Sequence, residues 1–123
     1  MARFPFGPGG AAVVRTNSGR ILTSVCFDPP NVAAALCHEA GAFCEANRLG
    51  ESIVASVCVS RSAPDRPFLI LAPCGICQER LSVWGPDVEV AVAVPGSPDR
   101  WQSKRLAEIQ PHYWRLAVQE AGE

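Results

Sequence analysis

Cys74 and Cys77 stand three apart in Pro73-Cys74-Gly75-Ile76-Cys77, directly after the apolar run Phe68 to Ala72. Two thiols at that spacing can share one metal ion, but they cannot complete its shell. A catalytic zinc takes three protein ligands and keeps a fourth position for water, so the fold has to bring a further donor from elsewhere. Upstream, Cys37-His38-Glu39 is the other place where a thiol, an imidazole and a carboxylate crowd together. The bland reading of Cys74 and Cys77 is a structural zinc or a redox pair. A closed structural site would need a fourth Cys or His, which the nearby pattern does not supply.

With 123 residues and 48% hydrophobic content, residues 1–123 are expected to form one domain around a single core. Cys26 and Cys58 sit in apolar, strand-like runs and Cys44 in a helical pattern. This irregular spacing suits buried thiols in a reducing compartment, with the cytoplasm as default, better than a disulfide framework. The first residues are broken by Pro5, Gly7 and Pro8 and offer no continuous signal-peptide core. Apolar windows such as Val88 to Val94 are far shorter than a bilayer crossing requires. The formal charge is −1, from 11 basic and 12 acidic residues, and the basic residues are scattered. A nucleic-acid partner is therefore not expected, nor is a membrane; a small uncharged substrate fits better.

The pattern predicts a hairpin from Ala11 to Arg15 and Arg20 to Phe27, turned at Asn17-Ser18-Gly19. A helix from Val32 to Asn47 follows, with Asn31 as N-cap and Gly50 as stop, placing Cys37 and Glu39 in its first half. Strands are expected at Ser52 to Ser60, Phe68 to Ala72 and Val88 to Val94, and helices at Gly75 to Trp84, Trp101 to Glu108 and Tyr113 to Ala121. Pro111 must interrupt the last helical stretch. The order β-β-α-β-β-α-β-α argues for an α/β fold, expected as a three-layer α/β/α sandwich on a mixed five-stranded sheet.

The chain resembles the cytidine deaminase family, in its small homotetrameric branch that includes blasticidin-S deaminase. The likeness runs from Gly10-Ala11-Ala12-Val13-Val14 and Gly19-Arg20-Ile21-Leu22-Thr23, through Cys37-His38-Glu39, to Ala72-Pro73-Cys74-Gly75-Ile76-Cys77 and the late Pro111. The resemblance implies a zinc ion on Cys37, Cys74 and Cys77, and Glu39 as a proton carrier that is not a ligand. It also implies a nucleoside-like substrate and a homotetramer with shared active sites. The zinc would lower the pKa of a bound water toward neutrality. Glu39 would carry a proton to N3 of a cytosine-like ring and then to the departing amino group, a role worth ~10²–10⁴-fold in rate.

Several positions depart from the family's pattern. Nucleoside-acting relatives hold the ribose with Asn-x-Glu at the end of the second strand, and the matching positions here are Cys26 and Asp28, the latter nine before Cys37. Asp28 is equally a turn residue before Pro29. His38 replaces the usual Ala between ligand and Glu. It reads as a packing residue or a substrate contact, because on a helix it would point about 100° from its neighbours. Gln78 stands where relatives carry Arg. Charge compensation for three thiolates is then expected from Arg80, three residues beyond Cys77 on the same helix face, and from the helix's amino end. Phe6 is a candidate to line the base pocket, while Tyr113 and Trp114 either close a neighbour's pocket or pack in the core. The competing reading is a catalytically idle zinc-binding protein of the same fold, or a deaminase of a different amino-heterocycle.

Overall fold

In a computed structural model describing residues 9–122, six strands form a mixed sheet with helices packed on it. The strands are β1 Gly10–Thr16, β2 Ile21–Ser24, β3 Ile53–Ser60, β4 Leu69–Ile70, β5 Glu89–Val94 and β6 Ser97–Arg105. Their lateral order is β2-β1-β3-β5-β6, and β4 pairs with the far end of β3. Only β3 and β5 run parallel; the other pairs are antiparallel. The helices are α1 Ala40–Leu49, α2 Gly75–Leu81, α3 Leu106–Ile109 and α4 Trp114–Glu120, with single 3-10 turns at Val32–Ala34 and Ser82–Trp84.

Strand alternation sends Val14, Val90 and Val92 to one face, where they meet Phe43 and Ala46 of α1, Cys77 and Leu81 of α2, and Leu106 of α3. That single core holds the sheet to the helices, and Leu81 and Leu106 are completely buried in it. The opposite face carries Val13, Arg15, Ala55, Val57, Glu89 and Ala91, which line a groove made of strand residues alone.

Two elements differ from the sequence pattern. Residues 97–105, expected to turn helical from Trp101, form β6, because Pro95-Gly96 reverses the chain with Gly96 at φ +81° and offers it the free edge of β5. Ladder pairing from Glu89↔Arg105 to Ala93↔Trp101 then outweighs helix propensity. The sheet accordingly has a sixth strand beyond the five expected. The helix expected from Val32 divides: Asn31 does cap, accepting from Ala33 N at 3.0 Å, but only a 3-10 turn follows. Leu36 is then drawn into an antiparallel bridge with Phe27, through bonds of 2.8 and 2.9 Å. The α-helix resumes at Ala40 and ends at Gly50, in the left-handed conformation at φ +69°. Phe6 lies outside the described residues.

Candidate metal centre and active site

The divided helix decides where the site residues sit. Cys37, His38 and Glu39 precede α1 rather than lying inside it, and Glu39 is the N-cap residue. Its side chain makes no cap bond. Ser24, at the end of β2, takes over that function: its Oγ accepts from Ala42 N at 3.0 Å and donates to the His38 carbonyl. A cap of this kind is worth about 0.5–2 kcal/mol, and here it leaves the Glu39 carboxylate free to turn inward. Ser24 packs so closely that a Cβ on Gly41 would come within 2.9 Å of its own Cβ.

The turn at 37–39 meets the start of α2. Cys37 Sγ and Cys77 Sγ are 3.1 Å apart, and a Glu39 carboxylate oxygen completes a trio whose atoms all lie within 4.8 Å of one another. Cys77 is fully buried and Glu39 nearly so. Cys74 stands outside the trio with an exposed side chain at the N-cap of α2, where its carbonyl accepts from Gln78 N at 2.8 Å. It remains close enough for its charge to act on Cys58.

A proton shared by Cys37 and Cys77 lies with Cys77. The hydrogen bond from the Cys77 thiol lowers the Cys37 thiol to about 6, below its ordinary value of 9.0. The same bond, then burial, pushes Cys77 up. Arg80 Nη1 donates to Cys37 Sγ at 3.4 Å, so the cation expected from helix spacing does reach the thiolate, across the site from α2. Cys58 of β3, which the sequence suggested was only a small apolar residue, is buried beside Glu39. Burial and then the Glu39 carboxylate push its thiol up.

These donors suit zinc. Soft thiolates select it, and all six cysteines are free. Thiolates on a tetrahedral zinc, with Zn–S about 2.3 Å, lie about 3.8 Å apart. The Cys37–Cys77 pair at 3.1 Å would open by less than an ångström to accept the ion.

The residues flanking the trio divide into buried supports and rim positions. His38 is buried, and its Nδ1 accepts from Cys26 N at 3.1 Å; burial holds its pKa below the ordinary value. Gly10 lies against it: a Cβ there would stand 2.8 Å from His38 Nε2 and 2.5 Å from the Val59 carbonyl. His38 thus braces the ends of β2 and β1 against the 37–39 turn. Cys26 is also buried, and burial, then the Asp28 charge, raises its thiol. Asp28 itself is half-buried beside it. Trp114 Nε1 donates to the Glu79 carboxylate at 3.2 and 3.3 Å, and Tyr113 stacks edge-on against Trp114 at 5.7 Å, tying α4 to α2. Sequence reasoning missed Ser24, because no local signal marks a serine that caps a helix 16 residues further on.

No family model matches the chain. It is 28% identical over 89 residues to blasticidin-S deaminase of Bacillus cereus, an alignment covering 69% of this chain but only 64% of that protein. The crystal structure of the cytidine deaminase from Bacillus anthracis superposes with a TM-score of 0.84 at 38% identity, covering 92% of this chain and 79% of that one. The cytidine deaminase from Mycobacterium tuberculosis, at 22% identity, shares the fold, with a TM-score of 0.64 and coverages of 85% and 77%. The chain belongs to the cytidine deaminase family. Among the described residues no helix is long and apolar enough to cross a membrane.

In metal-free protein, the rate of Cys37 alkylation by iodoacetamide is expected to be half-maximal near pH 6. Cys77→Ala removes the thiol donor and should move that midpoint upward. Mass spectrometry of the labelled peptide follows both, and an unshifted midpoint would show that Cys77 does not hold the proton.

Proposed function

We propose that this chain is a zinc-dependent hydrolytic deaminase of a cytosine nucleoside, or of a modified one, with Cys37, Cys74 and Cys77 holding the metal. The observation that carries this reading is the trio of Cys37, Cys77 and a buried Glu39, in a chain that belongs to a deaminase family. When bound, zinc supplies an acidified water as nucleophile. Glu39 would take one proton from the attacking water and deliver it to ring N3, then carry the second, from the hydroxyl formed at C4, to the leaving amino nitrogen. Cys58 and Cys77 both interact with that carboxylate, which restricts its rotamers. Arg80 offsets thiolate charge at Cys37 and favours retention of the ion. Free cysteines throughout suit the cytoplasm. A homotetramer with shared sites is the assembly this reading implies. A catalytically idle zinc-binding protein is the competing reading, and the buried Glu39 turned toward the thiols argues against it.

Glu39→Ala is expected to retain zinc and fold and to lose at least ~10²–10⁴-fold in ammonia release. Activity within a few-fold of wild type would overturn the role of Glu39, and loss of zinc would make it a support for the metal instead.

Specificity follows from the end of β2. The Cys26 side chain is buried and its N–H is committed to His38, so the place where relatives put a sugar-binding Asn offers no polar side chain. A site lacking that partner cannot discriminate through it. Cytidine is therefore expected to have a kcat/KM no better than analogues altered at the sugar, with Asp28 as the remaining polar contact. A clear preference for unmodified cytidine that Asp28→Ala abolishes would show that Asp28 alone suffices for ribose.

A further inference from the structure

A cysteine buried in a central strand is ordinarily a small apolar filler. Cys58 of β3 is only 7% exposed, yet among the described residues it does not belong to the apolar cluster that includes Cys77. Strand alternation sends its side chain to the helix-covered face, two residues beyond Ser56, which pairs with Val14 and Val90 of the core. Opposite it on β1 stands Ala12, completely buried. What the Cys58 thiol meets there is the Glu39 carboxylate, to which it is hydrogen-bonded. The backbone of Cys58 is held in place as well: its carbonyl accepts from Leu71 N at 2.9 Å, on the segment that leads to Cys74.

A buried carboxylate is costly unless donors reach it. Among the described residues the side-chain donors to Glu39 are two thiols, Cys58 and Cys77. They are not equivalent. Cys77 is a proposed zinc ligand, and a cysteine ligates as thiolate, with no proton left to donate. Cys58 lies outside the proposed ligand set, and burial, then the Glu39 charge, keeps the proton on its sulfur. We propose that Cys58 is a positioning residue for the deaminase reaction: its S–H holds one oxygen of the Glu39 carboxylate and leaves the other to carry protons. The inference rests on Glu39 as the proton carrier of a deaminase. A thiol is a weak donor, but an ionised acceptor screened from water strengthens the bond.

Infrared spectroscopy of the full chain reconstituted with zinc reads the contact without turnover. The S–H stretching band of Cys58, isolated as the difference between wild type and Cys58→Ala, is expected at the lowered frequency of a bonded thiol and should rise in Glu39→Ala. One frequency with and without Glu39 would overturn the proposal. In ammonia release from cytidine, Cys58→Ala is expected to lower kcat about tenfold, with KM and zinc content unchanged. Cys58→Ser, which keeps a donor, should recover most of that loss. A kcat for Cys58→Ala within about twofold of wild type, a serine variant no better than alanine, or a loss of zinc would each overturn the positioning role. Should Cys58→Ala not fold, the difference against Cys58→Ser isolates the same band and decides. A wild type that releases no ammonia from cytidine or its sugar-altered analogues fails the deaminase reading instead, and the S–H band then decides the Cys58 contact.

Discussion

Ser24 holds the beginning of α1 from a neighbouring strand, and the geometry of the candidate site depends on that contact. A helix whose N-cap residue is Glu39 would ordinarily use that carboxylate, or water, to satisfy its first amides. Because the strand supplies the hydroxyl, the carboxylate can lie within 4.8 Å of two thiol sulfurs instead. The same hydroxyl binds the His38 carbonyl, and the His38 ring binds Cys26 N. The turn carrying Cys37 and Glu39 is thus fixed to β2 at two points, and β2 is fixed to β1 through the hairpin ladder.

Charge is the second determinant. A site with several thiols and a buried carboxylate would repel itself if every group ionised. The proton retained on Cys77, the raised Cys58 thiol and the Arg80 contact each lower that cost in the absence of metal. Arg80 is a substitute in kind but not in position: its guanidinium reaches Cys37 from α2, two residues beyond Gln78, where the resemblance would place an arginine directly after the last cysteine.

Much of this was legible in the sequence, and the parts that were not share a cause. The cysteine pair, the grouping of Cys37, His38 and Glu39, the hairpin, β3, β5 and α2 are encoded by local spacing, so their order along the fold could be read directly. Arg80 was legible as a cation near the cysteines from its i,i+3 spacing to Cys77, but its bond to Cys37, a residue of another segment, was not. The break in the helix before Cys37 arises from the Phe27–Leu36 bridge, a contact between segments whose pairing no single window reveals. β6 was read as helix because Trp101 to Glu108 lacks strand alternation, and the free edge of β5 overrode that weak preference. His38 presented two readings until its ring was placed against Cys26 N and Gly10, which favours the bracing role over substrate contact.

X-ray absorption at the zinc edge, with metal content measured on the same sample, tests the central claim most directly. The account predicts one zinc per chain, with three sulfurs at about 2.3 Å and one lighter atom completing a tetrahedron. Protein purified under reducing conditions that carries no zinc, or zinc surrounded by four sulfurs or by a histidine nitrogen in place of a thiolate, would contradict it.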